Sequence, residues 1–349
     1  MNRRALRILL PLFAIAPWLA ATRCVTTQGP PREGVALVEV APGELARDVV
    51  DGWIARTERA RGLAFVRAPL VAIVDAGDPA LAALRDAAAV PLVRSSGMVF
   101  TEPLANAAVD LARDRVVAAR PPAETEILVA LAHLLDAQRY PHLVQTAARA
   151  PGDVGVALRA LLAASALSTA NGGLGPAPEE PPADPFAAPR IAAETPDAGT
   201  LFPEVPVLAA QGFLRALGDR EDAFRAPPLS TEQILRVARW RAGDRPVRLA
   251  GPPPVVPGCT LARDASFGVW AQVRALLGRG GDAPSRVFAA WRGDRALAWR
   301  CAGDATAWIY VLELDDEASA RAFAASGDAL LPSEWAPAQH AGRRGRRAW

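Results

Sequence analysis

Three histidines and three cysteines carry most of the metal-binding and nucleophilic potential of this 349-residue chain. His133 lies in a stretch with helical periodicity, His142 follows beyond Pro141, and His340 lies near the C-terminal end. Zinc sites take three or more protein ligands, commonly two imidazoles one helical turn apart. The spacing of His133 and His142, broken by a proline, does not supply that pair. His133 alone on an apolar helix face therefore reads as a core residue rather than a ligand. Cys259 and Cys301 could join it at a metal, but in an exported chain a disulfide is the simpler account. Gly172-Gly173 lacks the strand–helix context and the following Lys of a phosphate loop, and no G-x-S-x-G nucleophile elbow is present. Trp270, Trp291, Trp299 and Trp308 read as core rather than as a stacking platform.

His133 is positioned by a helix over residues 121–142. Pro121 and Pro122 suit a first helical turn, where the missing N–H is not needed. Glu124 and Glu126 sit near the positive end of the dipole. Leu128, Leu131, Ala132 and Leu135 recur at helical spacing and predict one buried face. Glu126 and Asp136 are expected on the helix surface, and Pro141 ends the helix. A strand at Arg115–Ala119 leads into it. Upstream, strands are expected at 34–40 and 69–74, and helices at 42–62, 79–89 and 101–107. An Ala/Leu-rich helix follows at 153–170 and stops at the glycines of 171–175. In PPLSTEQIL (227–235), Ser230 as N-cap with Gln233 three residues on makes a capping box. Further helices are expected at 266–278 and 315–326. A strand over 294–301 should pair with Thr306–Leu314. The pattern predicts an α+β fold.

Several of these segments together resemble a known family, the secreted bacterial HExxH zinc metallopeptidase-like proteins of gluzincin type. PPAETE (121–126) and LLDAQRY (134–140) resemble the turn before and the segment after the family's zinc motif. ERARGLAFVRAPLV (58–71), PPLSTEQIL and AAWRGDRALAW (289–299) resemble other recurrent segments, so the likeness spans about residues 45–330. It implies a zincin-like scaffold with a central motif helix and a C-terminal α/β portion. It also places the zinc motif at 129–133, where Val129-Ala130-Leu131-Ala132-His133 stands. Two imidazoles one turn apart would grip zinc while the Glu between them serves as base. Val129 cannot ligate and Ala130 cannot take a proton. The family's third ligand, a Glu on a following helix, falls on Ala163. Zinc, the cofactor the resemblance implies, is therefore expected to be lost, with no catalytic residue remaining. The expected function is that of an exported non-catalytic homologue, a binding or structural envelope protein with a protein or peptide partner. The alternative is an active zinc metallopeptidase using other ligands.

The bulk composition agrees with a folded, exported chain. Half the residues are hydrophobic (51%) and 22% are charged, as in globular domains. The net charge of +2 gives no general attraction to nucleic acid. Every basic side chain other than histidine is Arg. Residues 1–23 have an export leader's organisation: Arg3, Arg4 and Arg7, then the apolar, proline-interrupted stretch 8–21, with cleavage after Ala20 or Ala21. Lipid attachment at Cys24 is the competing outcome, against which Arg23 counts because lipoprotein signals take a small residue there. Membrane contact is expected only through the leader or such an anchor. The destination is the periplasm, envelope or exterior, an oxidising setting in which Cys259 and Cys301 are expected to pair. The expected organisation is then a metallopeptidase-like part at 24–171, a proline-rich linker at 172–200, an α+β part of the same scaffold at 201–332, and a basic tail at 333–349.

Overall fold

The computed structural model describes residues 6–14, 47–85, 106–174, 205–249, 251–266, 268–269, 289–321, 323, 343–344 and 347–348. Expectations for 34–40, the linker, most of 266–278 and Cys24 lie outside the described residues. The fold is mixed α+β, as the alternation of periods predicts.

A three-stranded sheet forms the first layer. Leu70–Val74 (β2) lies parallel to Arg115–Ala119 (β4), and Ala107–Asp110 (β3) lies antiparallel on its other side. β4 is central and buried on both faces, which is why it reads as a continuous apolar run. Its residues divide by the two-residue period of a strand. Val116 and Ala118 join the core beneath Glu124–Arg139 (α3), while Val117 and Ala119 meet Leu81 from the helical turns at 79–85 (α2). The helix expected at 101–107 is corrected at its end: Ala107 belongs to β3. A hairpin accounts for it. Asp114 takes a left-handed φ of 50°, which Asp tolerates, and Arg113 and Arg115 both bond Asp110 across the turn.

Helices build the second layer. Arg47–Arg61 (α1) packs on α3. Pro141 both closes α3 and opens Pro141–Arg149 (α4), standing at its first turn. Gly152–Ala170 (α5) is apolar almost all round because α1, α3, α4 and Val205–Leu217 (α6) enclose it. It is long and apolar enough to span a bilayer, yet most of that length is buried in the protein. Arg220–Arg225 (α7), Thr231–Leu235 (α8) and Val237–Arg241 (α9) follow as short turns. Ser230 caps α8, accepting from the Gln233 N–H at 3.3 Å. Gln233 does not reach back to Ser230; its Oε1 accepts from the Leu229 N–H at 2.6 Å instead.

The third layer is a second sheet. Cys259–Ala265 (β5), Trp291–Cys301 (β6) and Thr306–Leu314 (β7) form an antiparallel meander. Leu6–Ala14 (β1) runs antiparallel along β7, and Arg343–Arg344 (β8) and Arg347–Ala348 (β9) complete the sheet on that side. Leu6–Ala14, which overlaps the stretch read as the apolar part of a leader, thus forms a strand. Cys259 and Cys301 form a disulfide with Cα atoms 4.1 Å apart. Cys259 is the first residue of β5, directly opposite Cys301 in register. Trp291 and Trp299 are buried, as expected of core tryptophans.

Candidate functional site

α3 presents the positions where the family resemblance places its motif. Val129 and Ala130 are 1% and 0% exposed and lie in the apolar cluster between α3, β4 and the end of α5, with Ala166 and Ala170. His133 lies one turn beyond Val129 and is half-buried. Burial of the ring pushes its pKa down to about 4, so the imidazole is neutral over most of the pH range. Ala163 is half-buried on α5 and packs against the neighbouring cluster, which includes Val156, Ala160, Phe213 and Phe224. α3 and α5 pack along one another, but Val129 and Ala163 contribute to different clusters. This set of side chains does not fit zinc: one imidazole and three alkyl groups offer a single donor atom. Among the described residues no group of three His, Cys, Asp or Glu side chains is placed to hold a metal ion.

The polar chemistry lies one turn further along the same helix. Asp136 is corrected from the surface to the interior: it is 0% exposed. It falls on the face of Leu128 and Ala132, at i+8 and i+4, and that spacing could have revealed it. Arg61 of α1, 2% exposed, donates from Nε to Asp136 Oδ1 at 2.8 Å and from Nη1 to Glu221 of α7. Its guanidinium lies 4.6 Å over the Phe224 ring, which in turn tilts against Tyr140. Burial raises the Asp136 carboxyl, and the Arg61 charge opposes that rise. Arg220 donates to Thr169 Oγ1 at 3.2 Å and to the Ala60 carbonyl. Its pKa is lowered to about 10, first by burial and then by repulsion from Arg61. Two arginines and two acids therefore tie α1, α3, α5 and α7 into one junction. Breaking such a buried pair by removing one partner costs about 3–5 kcal/mol.

A second buried carboxyl joins the helical half to the second sheet. Asp153, in the first turn of α5, is 3% exposed. Its Oδ1 accepts from Thr231 Oγ1 at 2.6 Å, and both oxygens face the Thr231 N–H. Asp294 of β6 accepts from Ser266 Oγ at 2.6 Å, from the Gly268 N–H at 3.0 Å and from Tyr310 at 3.0 Å. Gly268, with φ of 77°, is required: a Cβ there would sit 1.8 Å from Asp153 Oδ1. Burial pushes the Asp153 pKa up to about 8; the Thr231 hydroxyl opposes this and the Asp294 charge adds to it. Beside them Glu232 is pushed up to about 7 by burial, with Arg239 and Arg236 pulling back. The STEQ motif is therefore a junction: Ser230 caps, Thr231 binds Asp153, Glu232 meets Arg239 at 3.0 Å, and Gln233 donates to the Asp244 carbonyl at 2.6 Å. The sequence revealed its cap but none of these long-range partners.

No family model, curated protein or solved structure matches the chain.

Proposed function

We propose that the protein is an exported, non-catalytic relative of HExxH zinc metallopeptidases that keeps the scaffold for binding or structure in the cell envelope. The observation that carries this reading is the state of the motif helix. Val129 and Ala130 are buried apolar side chains in a continuous core, where a peptidase would need a metal ligand and a general base. The Arg61–Asp136–Glu221 junction ties α1, α3 and α7 together without a metal. The partner class is a protein or peptide, bound without cleavage.

Metal analysis of the purified protein tests this reading. Zinc well below one equivalent, unchanged by His133→Ala, together with no turnover of a fluorogenic protein substrate, is the expected result. Stoichiometric zinc that disappears in His133→Ala would overturn it and favour an active peptidase with other ligands.

A further inference from the structure

The Arg61–Asp136 contact is half of a fork. Nε of Arg61 bonds Oδ1 of Asp136 at 2.8 Å, and Nη1 bonds Glu221. Nη2 shares an edge of the planar guanidinium with each of those nitrogens, yet it has no hydrogen-bond partner among the described residues. The same is true of the other carboxylate oxygen, Asp136 Oδ2. Two hydroxyls in this region share the condition: Thr57 Oγ1, one turn before Arg61 on α1, and Ser165 Oγ on α5. Ser165 lies close enough to the Asp136 carboxylate to favour its charge. All four residues are nearly inaccessible, between 0% and 2% exposed. A buried polar atom left without a partner costs about 1–3 kcal/mol, and more when the group is charged. Two such atoms on one ion pair therefore call for a bridging group.

We propose that an ordered internal water molecule occupies the Arg61–Asp136 fork. The donor and acceptor count suits water. It accepts from Arg61 Nη2–H and donates to Asp136 Oδ2, and the Ser165 and Thr57 hydroxyls complete its shell as donor or acceptor. Internal waters are held by two to four such bonds. An anion would face the Asp136 carboxylate, and a cation would face the guanidinium, so a neutral molecule able both to give and to accept is the species that fits. The site lies where α1, α3 and α5 meet, three residues past His133, and makes the solvent molecule part of the junction. This inference holds whether or not the chain descends from a peptidase.

Water-oxygen magnetic relaxation dispersion on the protein tests it. The wild type should show a long-lived internal water, and Thr57→Val/Ser165→Ala should lose one such water while Arg61 and Asp136 remain. Equal dispersion amplitude in the two proteins would overturn the proposal. A high-resolution crystal structure of the wild type decides independently if the double variant does not fold. Density within hydrogen-bonding distance of both Nη2 and Oδ2 supports the site. Nη2 bonded directly to Oδ2, with no density between or beside them, refutes it.

Discussion

Asp153→Asn should change how stability depends on pH. In the folded protein the Asp153 carboxyl holds its proton to about pH 8, whereas its ordinary value is 3.8. Between those values the folded chain carries a proton that the unfolded chain has released. The derivative of unfolding free energy with pH is then negative, so stability falls as pH rises through the window and levels off above it. At about 1.4 kcal/mol per pH unit, this interval sets a ceiling of about 6 kcal/mol. The observed fall should be smaller, because relaxation at the junction and residual contacts in the unfolded chain reduce it. Glu232, raised to about 7, contributes in the same direction and remains in the variant. Asparagine keeps an oxygen for the Thr231 hydroxyl and N–H and carries no titrating proton. Urea denaturation at fixed ionic strength from pH 5 to 9 is the assay. The variant should lose less stability across this range and should equal or exceed wild type at pH 9. Parallel curves for the two proteins would refute the claim that Asp153 is protonated when folded.

On the acid side His133 acts in the opposite sense. Its folded pKa of about 4 lies below its ordinary 6.5, so its contribution is intact above 6.5 and is lost as pH falls toward 4; His133→Leu should flatten that limb in thermal melts. Val129→His/Ala130→Glu/Ala163→Glu should recover zinc binding before activity, since hydrolysis also needs placed transition-state donors. Calorimetry with zinc checks this, and a folded variant that binds none would show that the three positions do not converge. Reducing Cys259–Cys301, which lie 42 residues apart, should lower stability by about 4 kcal/mol in the chain-entropy model. Mass spectrometry of non-reduced peptides should recover the linked pair, while two alkylatable thiols would contradict it.

Elements whose local signals agreed with their surroundings were legible in the sequence. α3, β4 and α5 follow the apolar periods and proline stops, and Ser230 caps α8 as its spacing predicts. Long-range polar partners were not legible. Asp136 was expected outside because charge suggests solvent, yet Arg61, 75 residues earlier in the chain, makes its burial tolerable. Asp153 carries no local mark of its role, which comes from Thr231, 78 residues later, and from the Gly268 backbone. Ala107 turned from helix to strand because β4 provided an edge to pair with. The motif positions could be named only through family likeness: an alanine in a helix of alanines bears no trace of a ligand.

The separation of these partners also orders the assembly of the molecule in time. α3 and α4 adjoin in sequence and can meet soon after collapse, as can the β6–β7 hairpin. Arg61 must find Glu221 at a sequence separation of 160, a much larger loop to close. The four-helix junction should therefore be among the last features to form during refolding. In hydrogen exchange, amides of α7 beside Glu221 should exchange through partial opening while those of α3 wait for global unfolding. A contact that fastens the finished structure this tightly then does little to guide the chain toward it.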